Sequence, residues 1–182
     1  MSFKVYAQKN YDKLEDQFED FFSTMINEEF DEMIEYFPEN YRERLDEKSI
    51  NALKQVFNDS LIDVDYQKVQ IIKIGKVQEI QGKYYSIIDC RYNLAMTYKN
   101  LQPWQTDDFM NSLMITMRLS FINEMNAMDF KYNPKTKTIK SIHEQPIYAI
   151  SNDGLSDWKF LYFGPGYKEV FHLFLPEKLL KK

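Results

Sequence analysis

The chain has 182 residues, 44% hydrophobic and 28% charged, proportions that suit one globular domain with a real core. Its formal charge of −5 is uneven: residues 1–60 hold 15 acids and 7 bases, net −8, and the remainder 13 and 16, net +3. So acidic an N-terminal third argues against a nucleic-acid partner, because phosphate contacts need clustered cations.

Residues 10–27 are predicted as a helix. Tyr11, Leu14, Phe18, Phe21, Phe22 and Met25 recur at three- and four-residue spacing, with acids opposite. A short second helix carries Phe30, Met33, Ile34 and Phe37 and stops at Pro38. Residues 38–45 read as a connector with one helical turn. Asp46 is placed to cap a third helix, with Ile50, Leu53 and Phe57 inward and Asn58–Ser60 ending it.

Two apolar-rich runs follow, 66–80 and 83–98, joined by Gln81–Gly82, a two-residue hairpin signal. In the second run Tyr84, Ile88, Cys90, Tyr92, Leu94, Met96 and Tyr98 share one parity, the period of a half-buried strand. In the first run the parity slips between Val69, Ile71 and Ile72, Ile74, and Gly75 lies within the slip. A bulge and a sharp bend are expected near Gly75.

Residues 101–126 fit both a strand and a helix stripe; length, the methionines and Asp107–Asp108 at the start favour a helix. Strand–turn–strand patterns then run over 127–143, turning at 133–136, and over 147–163, turning at 152–155. The second places Trp158, Phe160 and Tyr162 on one face. The apolar run 170–175 either docks on the sheet or makes a partner contact. Pro176 suits the first turn of a terminal helix over 177–182. The fold class is therefore α+β: N-terminal helices, a strongly curved antiparallel sheet over about 65–163, a helical insertion near 106–125 and a tail over 164–182, all in one domain.

That order of elements resembles the nuclear-transport-factor-2-like, or ketosteroid-isomerase-like, superfamily, and is nearest to its bacterial members. The stretches that carry the likeness are residues 50–59 (INALKQVFND), Gly82–Tyr85 entering the central strand, residues 135–139, Tyr148–Ser151 and Trp158–Leu161. It covers most of 9–163. The resemblance implies a cone-shaped cystatin-like roll, a sheet wrapped on a long helix. The superfamily includes isomerases, dehydratases, hydrolases, transport adaptors and pure binding domains, so fold implies little about activity. Its enzymes use pocket carboxylates and tyrosines, but none of their motifs aligns here, and no catalytic residue carries over.

Candidate chemistry is sparse. Asp89 and Arg91 share the polar parity of the central strand and project from one face. They are either a ligand-binding pair or a surface ion pair. With Tyr84 and Tyr92 they are the residues expected to contact a ligand if the sheet encloses one. Aromatics at 16% either fill the core or line a cavity. Cys90 is expected to be a buried small hydrophobe, and as the single cysteine it excludes an intrachain disulfide. His143–Glu144 reads as strand-end surface, or as an acid/base pair only if it enters a pocket. His143 and His172 have no metal-ligand spacing, so neither metal nor cofactor is expected. There is no nucleophile elbow, P-loop or glycine-rich dinucleotide turn.

No run approaches the ~18 apolar residues of a membrane span, and the first residues lack a signal peptide's apolar core. A cytoplasmic protein without a membrane partner is the expectation. The leading functional reading is a non-enzymatic binding or interaction module for a small apolar or amphipathic ligand, dimeric through the sheet or the 170–175 tail. The alternative is a cofactor-independent enzyme of isomerase, dehydratase or hydrolase type acting in the same pocket.

Overall fold

A computed structural model describes residues 3–45, 62–100, 107–124, 127–161 and 172–180, with helical positions also at 47, 48, 50, 51 and 54. The helix expected after Asp46 therefore lies largely outside the described residues, as do Tyr162, Val170 and Phe171.

The described elements are α1 (Phe3–Ile26), α2 (Phe30–Glu35), α3 (Glu39–Arg42), β1 (Ile62–Ile74), β2 (Gln78–Ile80), β3 (Lys83–Tyr98), α4 (Asp107–Glu124), β4 (Ala127–Asn133), β5 (Thr138–Ser151), β6 (Lys159–Leu161) and α5 (Glu177–Leu180). The strands form one open antiparallel sheet in the order β1-β3-β5-β4, with β2 also on β3 and β6 also on β5. The α+β class is as the periodicities predict. No helix among the described residues is long and apolar enough to cross a membrane.

The chain divides into two compact units, residues 1–46, 71–89 and 146–182 in the first, 47–70 and 90–145 in the second. In unit 1 the stripe on α1 is buried: Leu14, Phe18 and Phe21 wholly, Phe22 and Met25 nearly so. The rings pack on one another and on β6, with Phe21 stacked on Phe160 at 5.2 Å and Phe18 edge-on to it at 5.7 Å. Here the aromatics fill the interior. Gln17 Oε1 accepts the backbone N–H of Trp158, and the Phe160 N–H donates to Tyr36 O.

The Gln81–Gly82 turn has both φ angles positive, the signature of a type I′ hairpin. Strand pairing breaks at 75–77, as the parity slip predicts. Gly75 N–H donates to Ile87 O at 2.7 Å, and the Ser86 hydroxyl donates to Gly75 O. A Cβ on Gly75 would lie 2.9 Å from Ile87 O, so the close backbone approach requires glycine.

The even residues of β3 from Ser86 to Leu94 are buried, which makes that parity the core face. In unit 1 the opposite face is covered too. Tyr85, Ile150 and Leu161 form a second cluster with Leu175 and Leu179, flanked by Tyr41, Ile80, Tyr148 and Phe174. The residue 172–180 segment thus docks on the sheet.

In unit 2 the ambiguous segment is helix α4. Met110 and Met114 are buried, while Ile115 and Leu119 are more than half exposed.

Two expectations change. The pattern ended one strand at His143 and began another at Ile147, but β5 runs unbroken through Pro146. Its register with β4 ends at His143 and that with β6 begins at Tyr148, so Pro146, which has no N–H, falls where neither pairs. As a result His143 is mid-strand and wholly buried, not strand-end surface. Only Glu144 turns outward.

Candidate functional site

Unit 1 holds a cleft of about 340 Å³. Its floor is Tyr85 and Ile150, on the second face of the sheet, with Phe174 from the docked tail. Pro38, Glu39, Asn40, Arg42 and Glu43 form the helical wall, opposite Lys83, Asn152, Asp157 and Lys159. Pro38 sets the first wall by stopping α2 and starting α3. The tail is held by Tyr41, edge-on to Phe174 at 5.2 Å, and by the Arg44 guanidinium 5.4 Å above the same ring.

The charges on the rim are partly spent. Arg42 Nη1 pairs with Glu35 at 2.6 Å. Lys159 Nζ pairs with Asp157 at 2.8 Å and donates to Glu35 O at 3.1 Å. Arg42 Nε is enclosed and has no hydrogen-bond acceptor among the described residues. Most enclosed donors find a partner, so this one is a local exception, shared with Trp158 Nε1 and the Tyr132 hydroxyl.

The other wall is fixed by the 151–157 turn. The Asp153 carboxylate accepts the Ser156 hydroxyl (2.7 Å), the N–H groups of Leu155 and Ser156 (2.8 Å each) and a contact from the Ser151 hydroxyl. The Ser156 hydroxyl, then these backbone donors, hold its carboxyl well below the usual carboxylate range. Ser151 Oγ in turn accepts the Gly154 N–H. Burial pushes the Tyr85 phenol at the cleft floor up from its ordinary pKa.

The four residues read as ligand contacts from sequence are dispersed. Tyr84 packs its ring over Gly154. Asp89 is half-buried and, after burial itself, helps to raise the pKa of Tyr148. Arg91 is exposed and forms a two-pronged pair with Glu144, its Nη2 at 2.7 Å and Nε at 3.2 Å. Tyr92 is wholly buried. None of the four lines the unit 1 cleft.

Tyr92 belongs instead to a polar cluster inside unit 2. Its ring stacks on His143 (5.1 Å, 12°) and tilts against Tyr66, and its hydroxyl accepts the Gln145 amide at 2.9 Å. Cys90, buried as expected, reaches Gln145 O through Sγ. Ser141 Oγ lies 2.7 Å from His143 Nε2. That distance suits a nucleophile and its base. Both residues are buried, at 3% and 0% exposure, which shields the pair, although Ser141 also borders a groove on the unit 2 surface. Sequence reasoning missed Ser141. The signal was the run Ile139, Ser141, His143, Ile147 and Ala149, one parity of one continuous strand.

Among the described residues no group of three or more His, Cys, Asp or Glu side chains could hold a metal ion. No protein-family profile, curated protein or solved structure matches the chain.

Proposed function

We propose that the chain is a non-enzymatic binding module whose unit 1 cleft takes a small amphipathic molecule with a carboxylate or similar acceptor head. The observation that carries this reading is a cleft that joins Tyr85, Ile150 and Phe174 to the cations Arg42 and Lys83. An apolar body would displace water from the floor, and an acceptor head would pair with the Arg42 guanidinium. Lys83 adds a second cation at the rim. The order of helices, hairpin and antiparallel strands supports a likeness to the nuclear-transport-factor-2-like superfamily, which includes pure binding domains.

The test is ligand-observed NMR with a panel of short aryl and alkyl carboxylates, with hits mapped on the labelled protein. Shifts are expected at Tyr85, Ile150 and Phe174, and Arg42→Lys, which keeps the charge and loses Nε, should weaken binding about tenfold. A panel that moves no cleft resonance overturns the reading.

The rival reading, a cofactor-independent hydrolase, has the Ser141–His143 pair in its favour. A fluorophosphonate probe separates the two. Ser141 is expected to stay unlabelled in the folded protein, and labelling there would overturn the binding-module reading.

A further inference from the structure

Unit 2 carries a second groove, of about 290 Å³, on exposed strand surface. Lys68, Asn93, Lys140 and Lys131 line it, one each from β1, β3, β5 and β4, with Gln67 and Asp129 beside them. Two independent observations set it apart from an ordinary solvated face.

The first is register. Lys131 and Lys140 are direct cross-strand partners, and like charges placed opposite each other repel. Asp129 answers Lys131, Nζ to Oδ2 at 2.7 Å. Among the described residues Lys140 and Lys68 have no acidic partner. The lining thus holds three ammonium groups and one carboxylate.

The second is the backbone of β1. Its exposure alternates from Ile62 to Tyr66, and then Gln67 and Lys68 are exposed in succession. Lys68 has φ 52, the left-handed region that a lysine enters only under strain. Two exposed residues in succession with a left-handed φ are what a bulge produces, and bulges re-aim side chains. Lys68 and its neighbour Gln67 accordingly both line the groove.

We propose that this groove binds the phosphate group of a small, multiply charged molecule. Lysines supply the charge as mobile point donors, and the Asn93 and Gln67 amides supply directed hydrogen bonds. Gln67 is already held in place by Asp65. The proposal is independent of the unit 1 cleft, because none of its residues belongs to that site.

The experiment titrates inorganic pyrophosphate into the labelled full chain at low salt and follows backbone amide shifts. Shifts should concentrate at 67–68, 93–95, 129–131 and 140–142. Lys68→Gln with Lys140→Gln should weaken binding at least tenfold, and Asp129→Asn should tighten it severalfold by releasing Lys131. Lys13→Gln, on exposed α1 surface, should leave binding unchanged, and a nucleoside monophosphate should compete with pyrophosphate. Shifts spread over exposed lysines generally, an equal loss with Lys13→Gln, or looser binding with Asp129→Asn would overturn the proposal. So would an oligonucleotide binding where pyrophosphate does not.

Discussion

A Cβ on Gly154 would lie 2.6 Å from the Tyr84 ring, and the backbone there has φ +69. Gly154→Ala meets both obstacles and should cost about 1–3 kcal/mol in urea unfolding. Tyr84→Ala in the same chain removes the clash but not the backbone strain, so the double variant should recover only part of the loss. Simple additivity of the two changes would contradict the packing described. Asp153, one residue earlier, carries a pH dependence. Its folded pKa is depressed, so its contribution is complete above the unfolded value near 4 and fades as pH falls below it. Asp153→Asn takes the acceptor from the Ser156 hydroxyl and should flatten the loss of stability between pH 4 and 2. An unchanged acid profile would show that the turn's hydrogen bonds do not form in solution.

At the level of elements, the residue 172–180 segment acts as part of the core. Leu175 and Leu179 are almost wholly buried against Tyr85, Ile150 and Leu161. Truncating either to alanine should cost about 2–5 kcal/mol. Because both fill one cluster, the pair should deviate from additivity. Losses within about 0.5 kcal/mol, the range of surface substitutions, would mean the segment is not docked.

Much of this arrangement was legible. The stripe from Leu14 to Met25, the even parity of β3 and the break at Gly75 follow from period and turn chemistry alone, whereas the helix over 107–124 needed length, methionine content and its acidic start to decide between two periods. His143 was misplaced because the pattern was divided into two strands at 143 and 147, whereas the exchange of neighbours along β5 lets one strand run through Pro146. The unit 1 cleft was not legible. Arg42 matters through an ion pair to Glu35, a main-chain turn away and between two helices, which no local period signals. The slip read between Ile71 and Ile74 shows in the exposure pattern as Ile72 and Lys73 exposed in succession, whereas the earlier slip at Gln67 and Lys68 falls at two polar residues and was not read.

For the whole molecule, alkaline conditions provide a probe of packing. Burial raises the phenol pKa of Tyr36, Tyr85, Tyr98 and Tyr148, helped at Tyr36 by Asp20 and Glu32. The unfolded phenols ionise first, near pH 10, so the native state holds more protons and stability must fall as pH rises beyond that point. Urea midpoints should be flat from pH 8 to 9.5 and drop by pH 11, with Tyr148→Phe and Tyr98→Phe each reducing the drop. A midpoint constant to pH 11 would show these phenols to be exposed.

Unit 1 is assembled from three separate stretches of chain, and the hydrogen bond from Trp158 to Gln17 closes a separation of 141 residues. On a ribosome adding roughly 5–20 residues per second, α1 waits on the order of ten seconds before its partner strand exists. Through that interval the Phe18, Phe21 and Phe22 rings have no β6 to pack against. The N-terminal helix is thus the first part of unit 1 to be made and among the last to find its place. The acids along its other side would keep the waiting segment in solution.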